Sequence, residues 1–269
     1  MRKSATREPE PGSGHAKYRV QVLERAFDIL DALAEDGPCR RLNELSQAVD
    51  LHKSTTHRLL CALERRRYVE RAPSGGEYSL GLRLFELGTR AVSRLGSVDL
   101  ARPFLERLAV ASGETAHMGI PRQGEVISLV SAESRHTLHT PSTVGRGTPL
   151  YCTSQGKAIL AYSPDVAVRE LARSKGLIAL TPKTITSLQR LKQELKRIHA
   201  QGYAVDDEEF EPGLRCIGAP VRDHTNQVVA AVSIAGPVFR VSRQRLPELS
   251  KLVKRTAADL SRALGYSGS

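Results

Sequence analysis

The stretch from residue 42 to residue 71, which reads LNELSQAVDLHKSTTHRLLCALERRRYVER, most constrains what this chain can fold into. Its first half spaces apolar residues three and four positions apart, which predicts one face of a short helix. After a break at residues 50–52, a second helical pattern carries Leu59, Leu60 and Leu63 on its apolar face. Two short helices joined by a tight turn are typical of a helix-turn-helix, whose second helix enters the major groove of DNA.

The outer face of that second helix carries side chains that can hydrogen-bond base edges and phosphates. Residues 52–71 hold six lysines and arginines against two acids, and this surplus of four equals that of residues 1–97, which hold 17 basic and 13 acidic residues. A solvated helix end is the alternative interpretation, but here the basic run follows a helix-turn-helix pattern and precedes a hairpin. We therefore predict DNA binding through Lys53, Ser54, Thr55, His57, Arg58, Arg65, Arg66, Arg67 and Arg71.

Composition shifts divide the chain into four segments. Residues 1–17 are polar and rich in Pro, Gly and Ser, which predicts a disordered tail. Residues 18–80 combine three helical patterns with a hairpin signal around Pro73, which predicts a winged helix-turn-helix domain. Residues 81–98 are predicted to form a linker helix whose apolar residues, Leu82, Phe85 and Val92, pair protomers. Residues 99–269 alternate helices with antiparallel hairpins, so the fold class is α+β with a C-terminal sensor domain.

Several function classes are excluded by what the sequence lacks. No apolar run approaches the roughly 20 residues of a membrane span, and the N-terminus lacks a signal-peptide core, so we expect a cytoplasmic protein without membrane association. The cysteines are scattered, which predicts neither a zinc site nor a disulfide framework: Cys39, Cys61, Cys152 and Cys216. The net charge of +11 suits an anionic partner, although +7 of it lies in residues 98–269, which do not resemble a DNA-binding module.

The pair Gly156-Lys157 suggests a phosphate-binding loop, and the pattern fails. Tyr151 stands where the loop requires a glycine, and Ala158 replaces the hydroxyl residue. The acidic run at residues 206–209 lacks a histidine at ligand spacing, so a solvated turn or a helix N-terminus is a better interpretation than a metal site. The sequence therefore predicts no metal and no cofactor.

One cluster in the C-terminal segment is a candidate ligand site. Asp206 ends one predicted strand, Cys216 begins another, and Ser233 lies on the strand that pairs with it. A carboxyl, a thiol and a hydroxyl near one end of a hairpin, with backbone N–H groups from the loop at 145–147, can hold a small polar ligand. Two alternatives remain open, namely ordinary strand-end capping, which the spacing alone favours, and an enzyme that uses Cys216 as nucleophile with His224 as base.

A set of segments resembles the isocitrate lyase regulator (IclR) family of bacterial transcriptional regulators, over about residues 18–265. The resemblance implies a winged helix-turn-helix joined to a GAF-like effector domain. It also implies dimers, often paired into tetramers, on a palindromic operator, and a small-molecule effector that is often an organic or aromatic acid. Some members have serine where Ala235 stands, and Ser154 stands where the family often has alanine. The matching segments are residues 51–60, 78–81, 147–150, 153–158, 206–209, 213–217 and 233–236.

Carried over by motif, Asp206, Cys216 and Ser233 would line the effector pocket, with Gly145 and Leu150 near its mouth. An ionised Asp206 would repel a carboxylate. Either burial protonates this residue, or it accepts from a ligand hydroxyl while loop N–H groups hold the carboxylate. We therefore expect a ligand-responsive regulator, a repressor rather than an activator, that binds a small acid with a hydroxyl or keto group. The rival interpretations are the Cys216 enzyme and a constitutive DNA-binding protein with an inert second domain.

Overall fold

The computed structural model describes residues 20–35, 39–72, 75–93, 97–141 and 144–268. The chain divides between Ala91 and Val92 into two compact units, and each is described by itself. The predicted disordered tail and part of the predicted wing tip, Pro73 and Ser74, lie outside the described residues.

The N-terminal unit packs its helices against a small antiparallel sheet. Strands β2 and β3 form the predicted hairpin, and β1 pairs with the other edge of β3, which the sequence analysis did not predict. The core joins α1, α2, α3 and the hairpin through Ile29, Leu45, Leu60 and Tyr78. The elements are α1 (Gln21–Glu35), β1 (Arg40–Arg41), α2 (Leu42–Ala48), α3 (Lys53–Arg65), β2 (Val69–Arg71), β3 (Glu77–Leu80) and α4 (Leu82–Ser93), which continues across the division between the units.

The turn between α2 and α3 defines where the second helix begins. Asp50 adopts a left-handed backbone with φ of 48°, a conformation that aspartate tolerates better than most residues. His52 then caps α3, because its Nδ1 accepts from the Ser54 backbone N–H at 3.4 Å. The Thr56 hydroxyl donates to the His52 carbonyl oxygen at 3.3 Å from inside the helix. The predicted helix-turn-helix is thus present at the predicted place.

The C-terminal unit is built on one antiparallel sheet with strand order β6-β5-β4-β9-β8-β7. Helices α5 and α9 pack with one apolar cluster, and α6, α7 and α8 pack with a second. The prediction of an α+β chain is confirmed. No described helix is long and apolar enough to cross a bilayer. The elements are α5 (Ser97–Ser112), β4 (Thr115–Arg122), β5 (Glu125–Ala132), β6 (Gly147–Pro149), α6 (Ser154–Leu160), α7 (Asp165–Ser174), α8 (Leu188–Gln201), β7 (Ala204–Asp207), β8 (Leu214–Arg222), β9 (Val228–Pro237) and α9 (Leu246–Ala263).

Helix α6 lies unusually close to its neighbours because glycines form the contacts. A Cβ atom on Gly156 would lie 2.2 Å from the Leu150 carbonyl oxygen. On Gly218 of β8 it would lie 2.7 Å from the Ser154 carbonyl carbon. Both clashes would be with backbone, which cannot move aside as a side chain does. The glycine of the Gly156-Lys157 pair therefore serves packing, in agreement with the rejection of a phosphate loop.

Candidate DNA-binding surface and ligand cavity

Helix α3, which we call the recognition helix, exposes the polar face that its sequence predicts. Lys53, Ser54, His57 and Arg58 are exposed and Thr55 is half-buried. Thr56 and Leu60, on the opposite face, are fully buried. Burial thus follows the 3.6-residue period of the helix, and the polar face is available to a partner.

The predicted cations near the end of this helix are exposed to solvent. Arg65, Arg66, Arg67 and Arg71 are all exposed, and the Arg71 guanidinium lies 5.8 Å from the centre of the Tyr78 ring in the wing. Among the described residues, none of them forms an ion pair. Exposed arginines without acidic partners are well suited to phosphate oxygens, which supply the sequence-independent part of DNA affinity.

One predicted contact residue has a structural role as well. The Ser54 hydroxyl lies 2.8 Å from the His52 ring Nδ1, within the cap of the recognition helix. A serine hydroxyl can donate one hydrogen bond and accept others, so this contact leaves Ser54 able to meet DNA. His57 lies beside Cys61, with its Nε2 at 3.7 Å from the Cys61 Sγ, so these two side chains share one strip of the helix.

The C-terminal unit contains a cavity of about 90 Å³ between the sheet and α6, which we call the central cavity. It brings Asp206, Cys216 and Ser233 together, as the candidate ligand site requires. Asp206 stands directly across from Cys216 in the β7–β8 pairing, and Ser233 lies two positions further along, opposite Gly218. A larger groove of about 710 Å³ between α5 and β5 is open to solvent and is lined by none of these residues.

Asp206 is the most perturbed carboxyl of the cavity. Burial raises its pKa from 3.8 to about 7, and hydrogen bonds and the charge of Lys157 oppose that rise. Its Oδ1 accepts from the backbone N–H groups of Glu209 at 2.8 Å and Phe210 at 3.3 Å. Near neutral pH this carboxyl is therefore divided between a protonated form that can donate to a ligand and an ionised form that can only accept.

The acidic run that contains Asp206 is not the solvated turn that the sequence analysis preferred. Asp207 accepts from the Arg215 guanidinium at 2.5 Å, and Glu208 pairs with Lys183. Glu209 is buried and pairs with Lys157, which has no exposed surface and whose Nζ also donates to the Val205 carbonyl oxygen at 2.7 Å. Each of these carboxylates is thus held by its own cation, and the described residues contain no cluster suited to a metal.

The central cavity is also lined by polar residues that the sequence analysis missed. His117 is buried, so the pKa of its imidazole falls to about 4, and its Nδ1 lies 3.2 Å from the Ser131 hydroxyl. Gln155 donates from Nε2 to the carbonyl oxygens of His117 and Ala231, which fixes α6 to the sheet. The alternation of side chains along β4 and β5 is the sequence signal that could have identified the polar residues on the cavity face of the sheet. The full lining is His117, Val126, Ser128, Thr140, Arg146, Thr148, Thr153, Ser154, Gln155, Asp206, Phe210, Leu214, Cys216, Ser233 and Ala235.

Two residues predicted near the pocket mouth do not line the central cavity in the described part of the chain. Leu150 is buried in the apolar cluster of α6, α7 and α8, and it does not line the central cavity in the described part of the chain. Gly145 is also absent from that lining, and its N–H donates to the Ser128 carbonyl oxygen at 2.8 Å. Leu150 is buried because an apolar side chain gains free energy when it is removed from water. The Gly145 N–H is not free to hold a ligand carboxylate.

The enzyme interpretation of Cys216 fails on geometry. His224 lies in the exposed turn at one end of the β8–β9 hairpin, and Cys216 lies at the other end. Six residues of strand or more separate them, which is roughly 20 Å. Burial raises the pKa of the Cys216 thiol well above 9.0, so the thiolate that a nucleophile needs is disfavoured.

A helix-turn-helix with an exposed basic face, joined to a separate unit with a cavity that contains several polar groups, defines a DNA-binding transcriptional regulator. The chain belongs to the IclR family. The model of the bacterial transcriptional regulator IclR C-terminal domain matches residues 89–262, and that of the IclR helix-turn-helix domain matches residues 22–73.

Individual relatives agree with the family models. The chain is 36% identical over 242 residues to the HTH-type transcriptional regulator BhcR of Paracoccus denitrificans, covering 90% of this chain and 86% of the relative. It is 32% identical over 261 residues to the transcriptional repressor IclR of Escherichia coli, and the match covers 96% of this chain and 95% of that protein. The fold matches a crystal structure of an IclR homolog complexed with 4-hydroxybenzoate from Microbacterium hydrocarbonoxydans, with TM-score 0.78, 24% identity, and 91% and 99% of the two chains covered.

Proposed function

We propose that this protein is a ligand-responsive repressor whose affinity for a palindromic operator is set by a small organic acid bound in the central cavity. The observation that carries the proposal is the cavity itself, which brings Asp206, Cys216 and Ser233 together in a unit separate from the recognition helix. A concave site with a few convergent polar groups is the usual form of a small-molecule site.

The DNA side of the proposal rests on the exposed face of the recognition helix. Arg58 lies on that face at mid-helix, so we assign it to a base edge in the major groove. Arg65, Arg66, Arg67 and Arg71 follow toward the wing and are assigned to phosphates, and Lys53, Ser54, Thr55 and His57 complete the contact surface.

A palindromic operator presents two half-sites about 34 Å apart and therefore takes two copies of the chain. Leu82 and Phe85 of α4 are 71% and 72% exposed, and α1 exposes Leu23 and Phe27 at 52% and 58%. Exposed apolar residues of this size support pairing of protomers into a homodimer, or a homotetramer made of two such pairs. A monomeric mass by light scattering at micromolar concentration would contradict this part of the proposal. The side chain of Val92, also predicted to pair protomers, lies outside the described residues.

The size and polarity of the cavity define the effector class. A volume of about 90 Å³ favours a small acid over a nucleotide or a large cofactor. Asp206, with a pKa of about 7, can donate to or accept from a hydroxyl or keto group. That an IclR homolog of the same fold was crystallised with 4-hydroxybenzoate supports an acid as the class of effector.

The test measures operator affinity of the full-length protein with and without a panel of hydroxy, keto and aromatic acids. We expect at least one acid to change the affinity by about fivefold or more, a coupling of about 1 kcal/mol. Asp206→Ala should weaken acid binding, measured by calorimetry, and leave acid-free operator affinity unchanged. If no acid changes the affinity, the protein is a constitutive DNA-binding protein and the proposal fails.

A further inference from the structure

The wall of the central cavity formed by β5 contains a buried polar group with no partner. Ser128 is only 6% exposed, and its Oγ makes no hydrogen bond within the described residues. A buried hydroxyl without a partner is rare, because it has lost its hydration without replacing it. Since Ser128 lines the cavity, a bound ligand is the natural source of the missing hydrogen bond.

Arg146 lies next to that hydroxyl and supplies a cation. The Ser128 N–H donates to the Arg146 carbonyl oxygen at 3.1 Å, so the two residues are joined through their backbones. Arg146 lines the cavity and is otherwise exposed, which places it at the mouth. Its guanidinium forms no ion pair among the described residues, so its charge is available to a ligand.

One loop N–H that the sequence analysis assigned to an anion is already occupied. The Gly145 N–H donates to the Ser128 carbonyl oxygen. A carboxylate at this end of the cavity can take hydrogen bonds from side chains instead. His117, on the adjacent strand, has a pKa of about 4 and stays neutral at pH 7, so it can offer a hydrogen bond but no charge.

We propose that Arg146 and Ser128 form the carboxylate seat of the effector site, with the guanidinium at the mouth and the hydroxyl on the wall. This inference rests on the proposed function and adds the orientation of the ligand. The carboxylate lies toward β5 and the loop before β6, and the hydroxyl or keto group lies toward Asp206 and Cys216. A second carboxylate at the Asp206 end would meet a carboxyl group, so the site selects monocarboxylates over dicarboxylates of similar length.

The experiment compares each acid with its neutral amide, because only the acid can use the charge of Arg146. Calorimetry on the full-length protein uses lactate, pyruvate, 3-hydroxybutyrate and 4-hydroxybenzoate, each beside the matching amide, with malonate as the dicarboxylate. We expect at least one acid to bind about tenfold or more tightly than its amide, as a charge-assisted hydrogen bond provides. Malonate should bind more weakly than lactate.

The variants then locate the source of that preference. Arg146→Gln should reduce the acid-over-amide ratio to near one, Arg146→Lys should restore part of it, and Ser128→Ala should weaken the acid by about fivefold. Arg190→Gln is the matched control. Arg190 is exposed on α8 and lines no cavity in the described chain, and its replacement changes the net charge by the same amount as Arg146→Gln. Its ratio should equal that of the wild type.

The outcomes separate the two proposals. If an acid binds and Asp206→Ala weakens it while Arg146→Gln leaves the acid-over-amide ratio unchanged, the effector site stands and the carboxylate seat is wrong. If Arg190→Gln lowers the ratio as much as Arg146→Gln, the effect is the general charge of the protein, and the seat is again wrong. If no acid on the panel binds the wild-type protein, both the seat and the proposed acid effector are overturned.

Discussion

In the N-terminal unit the functional polar side chains stand in solvent, whereas in the C-terminal unit they are buried. Arg58 and the arginines that follow it are exposed and have no acidic partner in the described chain. Lys157, Asp206 and Glu209 have at most a few per cent of their surface exposed, and their charges depend on one another. The first arrangement reads an external polyanion and contributes little to stability. The second shapes an internal site, and its charges are costly to disturb.

The largest expected effect is the loss of stability when the buried Lys157–Glu209 pair is broken. Lys157→Ala should lower the free energy of unfolding by about 3–5 kcal/mol, because it leaves the Glu209 carboxylate buried without its cation. Urea unfolding measures this change. Arg58→Ala is the matched removal of an exposed cation and should change stability by less than about 0.5 kcal/mol. Replacing both partners, as Lys157→Met with Glu209→Leu, should cost less than Lys157→Ala alone, and a greater loss in the double variant would refute this account.

The second expected effect is a pH dependence of stability that arises from the buried Asp206. The folded pKa of Asp206 is about 7 against 3.8 for the free carboxyl, so the folded protein binds this proton more tightly. Its contribution to stability is fully present below pH 3.8 and is lost as pH rises through 7. Asp206→Asn keeps an oxygen for the same backbone N–H groups and removes the titration. The variant should therefore gain stability relative to wild type between pH 4 and pH 8, by on the order of 2–4 kcal/mol.

The other titratable groups around Asp206 are Glu209, Lys157 and His117. They are unchanged in Asp206→Asn, so the difference in stability between wild type and variant reports the titration of Asp206. Unfolding curves at several pH values give the measurement. Parallel pH profiles for wild type and Asp206→Asn would show that Asp206 titrates normally in the folded protein.

The smallest effect concerns the exposed surface. Arg58→Ala should weaken binding to the specific operator by about 1–3 kcal/mol and relax the base preference at one position. Fluorescence anisotropy with operator and with unrelated DNA measures both. Arg66→Ala is the comparison variant, because it should weaken all sequences alike and lower the salt dependence. A folded Arg58→Ala protein with full operator affinity would remove Arg58 from base recognition.

The same contrast explains what the sequence could and could not predict. The exposed face of the recognition helix follows from the spacing of Leu59, Leu60 and Leu63, because a helix with one apolar face must expose the other. The hairpin that places Cys216 near Ser233 was likewise visible in strand alternation. Local periodicity is enough for both features, because it determines which side chains share one face of a helix or a strand.

Burial of polar residues is a tertiary property, and here the sequence analysis was least complete. Lys157 was considered only as part of a phosphate loop, yet it is fully buried against Glu209, which lies 52 positions away. Leu150 was placed at the pocket mouth because of its motif, and it lies in the core. Ser128 and Arg146 gave no sequence signal, since their significance arises from one unpaired hydroxyl and one adjacent chain segment.

The close contacts of α6 have a practical consequence for anyone who wishes to retune this regulator as a sensor for another compound. A Cβ atom at Gly156 or Gly218 would clash with backbone atoms, so neither position accepts a larger residue without a shift of α6. A mutagenesis library directed at these two glycines would mainly displace the helix or unfold the protein. Diversity placed at Ser128 and Arg146 instead changes the chemistry of the opposite wall while the helix stays fixed. Substitutions intended to change ligand preference should therefore be made on β5 and the loop before β6, and the sequence of α6 should be kept.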